Sequence, residues 1–132
     1  MDAHYTFRVR VRLEPAREFV SLEPSSAQTT VTLFRDAPQP GTDGWLFFRN
    51  TLWRGDVSDQ EHARRLAADW LGVPERSIEA VDFRELQTDA EYFDALKAEI
   101  AADLEPFNAD TVSEVLSKYL GSSIRVTDAE DD

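Results

Sequence analysis

The sequence has no cysteine, one methionine and two histidines in 132 residues. Without cysteine there can be no disulfide, no thiolate nucleophile and no Cys-based zinc or iron–sulfur site. His4 and His62 lie far apart with no H-x-x-x-H spacing, so zinc ligation lacks its minimum motif. Glycine is scarce as well. Gly41 and Gly44 sit together in a turn, but neither opens a Gly-Lys-Ser loop nor a G-x-G-x-x-G fingerprint. A D-x-D-x-D-G calcium loop and a G-x-S-x-G nucleophile elbow are also missing. No cofactor and no metal are expected, and no recognisable enzyme motif occurs; the expected role is non-enzymatic binding, with a small enzyme lacking any such motif kept as an alternative. No apolar run approaches the ~20 residues that a membrane helix needs. The opening MDAHYTFRVRV enters strand-like alternation without a hydrophobic signal core. The expectation is a soluble cytoplasmic protein with no membrane contact.

Lysine is the other shortage. Of 14 basic residues only Lys97 and Lys118 are lysine, against 26 acids and a formal charge of -12. At ~1 M salt the Debye length is ~3 Å, so repulsion between surface carboxylates nearly vanishes while their solubilising effect stays. The bias therefore reads as adaptation to a salt-rich solvent; an ordinary acidic cytoplasmic protein is the alternative.

What is present is a core and a pattern. Hydrophobic residues make up 42% and include eight Phe, three Trp and three Tyr, enough for one globular domain over 1–127. Residues 128–132 read as an acidic disordered tail. Tyr5, Phe7, Val9, Val11 and Leu13 alternate with Thr6, Arg8, Arg10 and Arg12, a strand of period two. Residues 15–27, with Pro15, Pro24, Ser25 and Ser26, read as an irregular crossing tacked to the core by Phe19, Val20 and Leu22. Strands are predicted over 28–35, over the apolar run WLFFRNTLW at 45–53, over 78–86 and, as a short last strand, over 123–127. Between the second and third, Asp36 to Gly44 is a turn region. Asp56 or Ser58, the latter boxed with Glu61, caps a first helix that Gly72 and Pro74 end; Thr88 with Glu91 opens a second through about Leu104; Asp110 caps a third that Gly121 closes. The order β-β-β-α-β-α-α-β predicts an α+β fold, a largely antiparallel sheet of four to five strands with three helices on one face.

One surface stands out. Arg8, Arg10 and Arg12 share a strand face, and on the third predicted strand Trp45, Phe47, Arg49 and Trp53 share another, with Arg54 at the corner beyond. If helices cover Leu46, Phe48 and Leu52, the sheet presents arginines and aromatic rings together on its other side. Three readings follow. Segment 15–27 could fold over that face, with Arg8, Arg10 and Arg12 pairing with Glu79, Asp82 or Glu85 and stacking on Trp. The face could be a protein interface, with homodimerisation as its simplest form. It could bind single-stranded nucleic acid, although WLFFRN is not the RNP1 pattern and the net charge opposes it. Arg54-Gly55-Asp56 spells an adhesion tripeptide, but it reads as a turn between strand and helix.

Leu52-Trp53-Arg54, a length near 130, strong acidity and the closing NADTVSEVLSKYLGSSIRV from Asn108 to Val126 resemble the small LWR-salt proteins of halophilic archaea. The resemblance covers most of the chain. It implies a salt-rich cytoplasm, brings no substrate, and points to Leu52, Trp53 and Arg54.

The charge argument is checked by melting the protein in dilute buffer and in molar KCl. The midpoint should rise by many degrees; a flat profile would count against a salt-adapted surface.

Overall fold

The computed structural model describes residues 1–13, 19–21 and 27–127. The predicted acidic tail 128–132 and most of the crossing at 15–27 lie outside the described residues.

Strand β1 (Ala3–Leu13) is the long alternating run. Its odd positions, Tyr5, Phe7, Val9 and Val11, are buried while Arg8, Arg10 and Arg12 are exposed. That is the pattern of a strand with one wet face. β1 pairs antiparallel with β2 (Ala27–Asp36) on one side and with β5 (Ile78–Asp89) on the other. β6 (Ile124–Thr127) adds to β5 in parallel, giving the order β2-β1-β5-β6. The parallel pair needs a crossover, and α3 (Ala90–Ala102) and α4 (Val112–Tyr119) supply it. α2 (Gln60–Leu71) packs its Ala63, Ala67 and Ala68 stripe inward and touches β5. The architecture is α+β, as the order of strand and helix signals implies.

The stretch 45–53 is a correction. It is not a third sheet strand: a turn at Trp45 and Leu46 leads into a short helix α1 (Phe47–Thr51), and only Leu52–Trp53 is extended, as β3. β3 pairs with an equally short β4 (Asp56–Val57) in a separate two-stranded ribbon. The buried residues Phe48, Thr51 and Leu52 have helical spacing, but an apolar run with hydrophobic residues on every side hides its period. The order thus becomes β-β-α-β-β-α-β-α-α-β.

Each of the three predicted helices, α2, α3 and α4, is capped one to three residues beyond the position expected from the sequence. Asp59 caps α2 by accepting from the N–H groups of Glu61 and His62, while Ser58 instead donates its hydroxyl to Thr51 O at 3.0 Å. Thr88 is 1% exposed, so the cap of α3 passes to Asp89, which accepts from Tyr92 N–H at 2.7 Å. Thr111 rather than Asp110 caps α4, accepting from Glu114 N–H at 3.1 Å, and Glu114 reaches back to the Asp110 N–H at 2.9 Å. All three ends satisfy orphan helix donors. Gly72, at φ 70°, closes α2 as its place in the sequence implies. Phe19 and Val20 do not tack the crossing to the core: they are 82% and 44% exposed.

The core is aromatic. Tyr5 and Phe7 meet Phe47, Phe83 and Trp70, and Phe48 stacks on Phe107 with ring centres 5.9 Å apart. Burial pushes the Tyr5 hydroxyl well above the ordinary phenol value, and that of Tyr92 up to about 12. Tyr92 keeps its proton and donates it to Pro38 O at 2.7 Å, which ties the loop after β2 to α3.

Asp89 joins the chain's start to α3. Its carboxylate is held below the ordinary value by the Tyr92 N–H first, then by the Asp2 N–H and the nearby terminal amine. A lowered folded pKa means that its contribution is present above the unfolded value and fades as the pH falls through the folded one. An Asp89→Ala variant should melt below wild type near neutrality, and the gap should narrow below the ordinary aspartate value of 3.8, read by thermal circular dichroism across pH.

Candidate functional site

The residues singled out by the sequence fall into three groups. Arg8, Arg10 and Arg12 lie together, exposed, on the face of β1 that no described element covers, as the alternation requires. Arg8 sits opposite Thr32 and Asp82, and Arg10 opposite Thr30 and Ala80. Arg12 reaches Glu79 Oε1 with Nε at 2.9 Å and Nη2 at 2.8 Å. Glu85 pairs with Arg125 instead, at 2.9 Å. Among the described residues Arg8 and Arg10 have no carboxylate within ion-pair distance.

Trp45, Phe47 and Arg49 are elsewhere. Phe47 lies against Tyr5, ring centres 4.8 Å apart, and therefore on the helix side of the sheet. Trp45 packs on Phe48 and Phe107. Arg49 donates to Pro106 O at 3.3 Å and to the Asn50 side chain. The expected juxtaposition of arginines with Trp45 and Phe47 is thus not assembled, because the run that carries the rings is helical and turns them inward. The rings that do share the arginine face are Phe34, 61% exposed, and His4, edge-on to it at 5.4 Å. A row of bases stacking on Trp45 and Phe47 beside the arginines has no platform there.

Trp53 and Arg54 form the third group, and this corner is built in detail. Arg54 and Gly55 link β3 to β4 with φ of 54° and 85°. Two successive positive φ values mark the type I′ turn that two-residue hairpins favour. The turn docks on the end of α4: the Arg54 N–H donates to Lys118 O at 2.8 Å and the Gly55 N–H to Tyr119 O at 3.0 Å. Helix carbonyls that would otherwise be orphans are thereby satisfied. Contact is close on both sides. A Cβ on Gly121 would come within 3.0 Å of Arg54 O, and one on Gly55 within 3.0 Å of Leu120 O.

Leu52 points into the core at 1% exposure, whereas Trp53 is 44% exposed. The Trp53 ring meets Tyr119 edge-on at 5.9 Å. The Arg54 guanidinium lies 5.7 Å from its centre and the Lys118 ammonium 5.8 Å, both within cation–π range. Lys118 also donates to Phe107 O at 2.8 Å and Asn108 O at 3.3 Å. Alongside runs a solvent-open groove of about 670 Å³, lined by Trp53, Arg54, Glu114, Ser117, Lys118 and Ser122. The α4 residues of this groove were not singled out from the sequence. That Lys118 is one of only two lysines was the available signal, but nothing in the linear order sets it beside Trp53.

The conformation of Arg54 separates backbone from side chain. A non-glycine residue at positive φ costs roughly 1 kcal/mol, least for Asn. Arg54→Asn should therefore melt at or slightly above wild type. Gly121→Ala, which meets immovable backbone, should lose about 1–3 kcal/mol in a denaturant titration.

Among the described residues no helix is long and apolar enough to cross a membrane, and no three His, Asp or Glu side chains converge as metal ligands. No curated protein and no solved structure matches the chain. The family model described as LWR-salt protein matches residues 1–130. The Leu-Trp-Arg triplet in that description is spelled here by one buried anchor, one half-open ring and one strained turn residue, and the chain belongs to the LWR-salt family.

Proposed function

We propose that the protein acts by binding protein through its sheet, and that its partner is a second copy of itself, adding strand β2 to strand β2 across a two-fold axis. The observation that carries this reading is the outer edge of β2, which no further strand pairs among the described residues. It is ten residues long and ends the sheet. From Ala27 to Phe34 it contains no charge, and it has no lysine and no proline, the residues that commonly guard an edge.

The opposite side of the sheet supports the contrast. β6 covers only Leu86 to Asp89 of β5. Further along, the Gln60 side chain accepts from Val81 N–H at 3.2 Å and donates to Val81 O at 2.6 Å. That amide occupies the Val81 peptide as a neighbouring strand would, whereas among the described residues nothing comparable is seen on the outer edge of β2.

Charge favours a second copy of the same strand. Two chains of -12 each repel almost everywhere, and least along an uncharged strand. In molar salt the remaining repulsion is short-ranged, whereas backbone hydrogen bonds and the partly exposed Val31, Leu33 and Phe34 are little affected. Antiparallel addition about a two-fold axis is self-complementary. It would also bring two arginine rows onto one continuous sheet face, available to a further acidic partner.

The test is size-exclusion chromatography with light scattering in molar KCl. Wild type should have the mass of a dimer, and Thr30→Lys with Thr32→Lys, two exposed positions, should give a folded monomer. Arg10→Glu should leave the dimer intact. A wild-type monomer at high concentration, or loss of the dimer in Arg10→Glu but not in the lysine variant, overturns edge pairing.

A further inference from the structure

The groove beside Trp53 gathers positive charge in a molecule that is strongly negative. Arg54 and Lys118 lean on one indole ring, although like charges so placed repel. Among the described residues neither has a carboxylate within ion-pair distance, in a chain with 26 acids. Glu114 lines the same groove, but its Oε2 is held by the Asp110 N–H at 2.9 Å. The carbonyl end of α4 does not present free negative charge here either, since the Lys118 and Tyr119 carbonyls already accept from the Arg54–Gly55 turn.

Donors remain. Lys118 has three N–H groups and two carbonyl partners, Phe107 O and Asn108 O. The Arg54 fork is exposed, and Ser117 and Ser122 bring hydroxyls to the groove. The turn itself does not call for arginine. At φ 54° an asparagine or glycine would sit more easily, so the guanidinium is present at the expense of local conformational preference, a common sign of a side chain with work to do.

We propose that this groove binds a phosphate-type oxyanion, gripped by the Arg54 guanidinium and the Lys118 ammonium, with Ser117 and Ser122 as hydroxyl donors. A tetrahedral anion with several acceptor oxygens can engage a planar fork, an ammonium and hydroxyls at once, which chloride cannot. Direct hydrogen bonds of this kind survive concentrated salt better than diffuse attraction does. Trp53 holds the two cations in place and offers a ring beside the anion. The site is separate from the β2 edge and stands or falls independently of self-association.

The measurement is isothermal titration calorimetry at fixed ionic strength, with potassium phosphate replacing part of the KCl. Saturable binding is expected for wild type and for the Thr30→Lys, Thr32→Lys variant. Arg54→Asn should bind at least roughly ten-fold more weakly, as expected when a charge-assisted fork is removed, while melting no lower than wild type. A parallel titration with a nucleoside monophosphate distinguishes the source: tighter binding than inorganic phosphate assigns a nucleotide with its base beside Trp53, and equal or weaker binding assigns the free ion. Absence of saturable binding to either probe, or unchanged affinity in Arg54→Asn, overturns the proposal.

Discussion

One-sided burial of the sheet governs this molecule. The odd side chains of β1 and their neighbours on β5 meet the helices and exclude water, and burial of that apolar area is the main force holding the fold together. The even side chains have no layer above them among the described residues. Strict alternation therefore does two jobs with one strand: Tyr5, Phe7, Val9 and Val11 build the interior, and Arg8, Arg10 and Arg12 build a surface. A one-residue slip of β1 would exchange the two sets, placing guanidinium groups among Phe83, Leu86 and Phe47. The register is thus fixed by the cost of burying charge.

The corner at Leu52, Trp53 and Arg54 obeys a different constraint. α4 ends against the hairpin, and the hairpin's turn supplies the N–H groups that the helix end lacks. Neither piece is long enough to be stable alone: the strands have two residues each and the helix eight. Each completes the other's hydrogen bonds, with Gly55 and Gly121 allowing the close approach. Two thirds of the triplet is explained by this arrangement, since Leu52 anchors the ribbon and Trp53 covers Tyr119. The arginine side chain is the part that folding does not require.

Much of this was legible in the residues. Period two in β1, the Gly72 stop after α2, the helical stripes of Tyr92, Leu96 and Ile100 and of Val115 and Tyr119, and the α+β class all follow from local rules. Cap positions were less so, because Ser58, Asp59, Thr88 and Asp89 are all competent caps and burial of the Thr88 side chain decides between two of them. The apolar run at 45–53 defeated periodicity outright. With hydrophobic side chains on every face, WLFFRNTLW fits strand and helix alike, and only tertiary packing against Phe107 and Tyr119 selects the helix. The helical course takes Trp45 and Phe47 off the arginine face and leaves Trp53 with Arg54 as a separate pair. Lys118, Ser117 and Ser122 lie more than sixty residues along the chain from that pair, and a contact of that range leaves no mark in a local pattern.

The pairing of β1 with β5 has a kinetic side. Ala3 meets Thr88 and Val11 meets Ile78, so the first strand made is completed by one of the last. A nascent chain can close the β1–β2 hairpin early, but the apolar row from Tyr5 to Val11 then stays bare until α2 and β5 have emerged. Such distant closure slows folding and prolongs the exposure of sticky surface. The solubilising effect of the many carboxylates, which outlasts the screening of their repulsion by salt, is the safeguard at hand during that wait, which gives the charge excess a part to play before any folded surface exists.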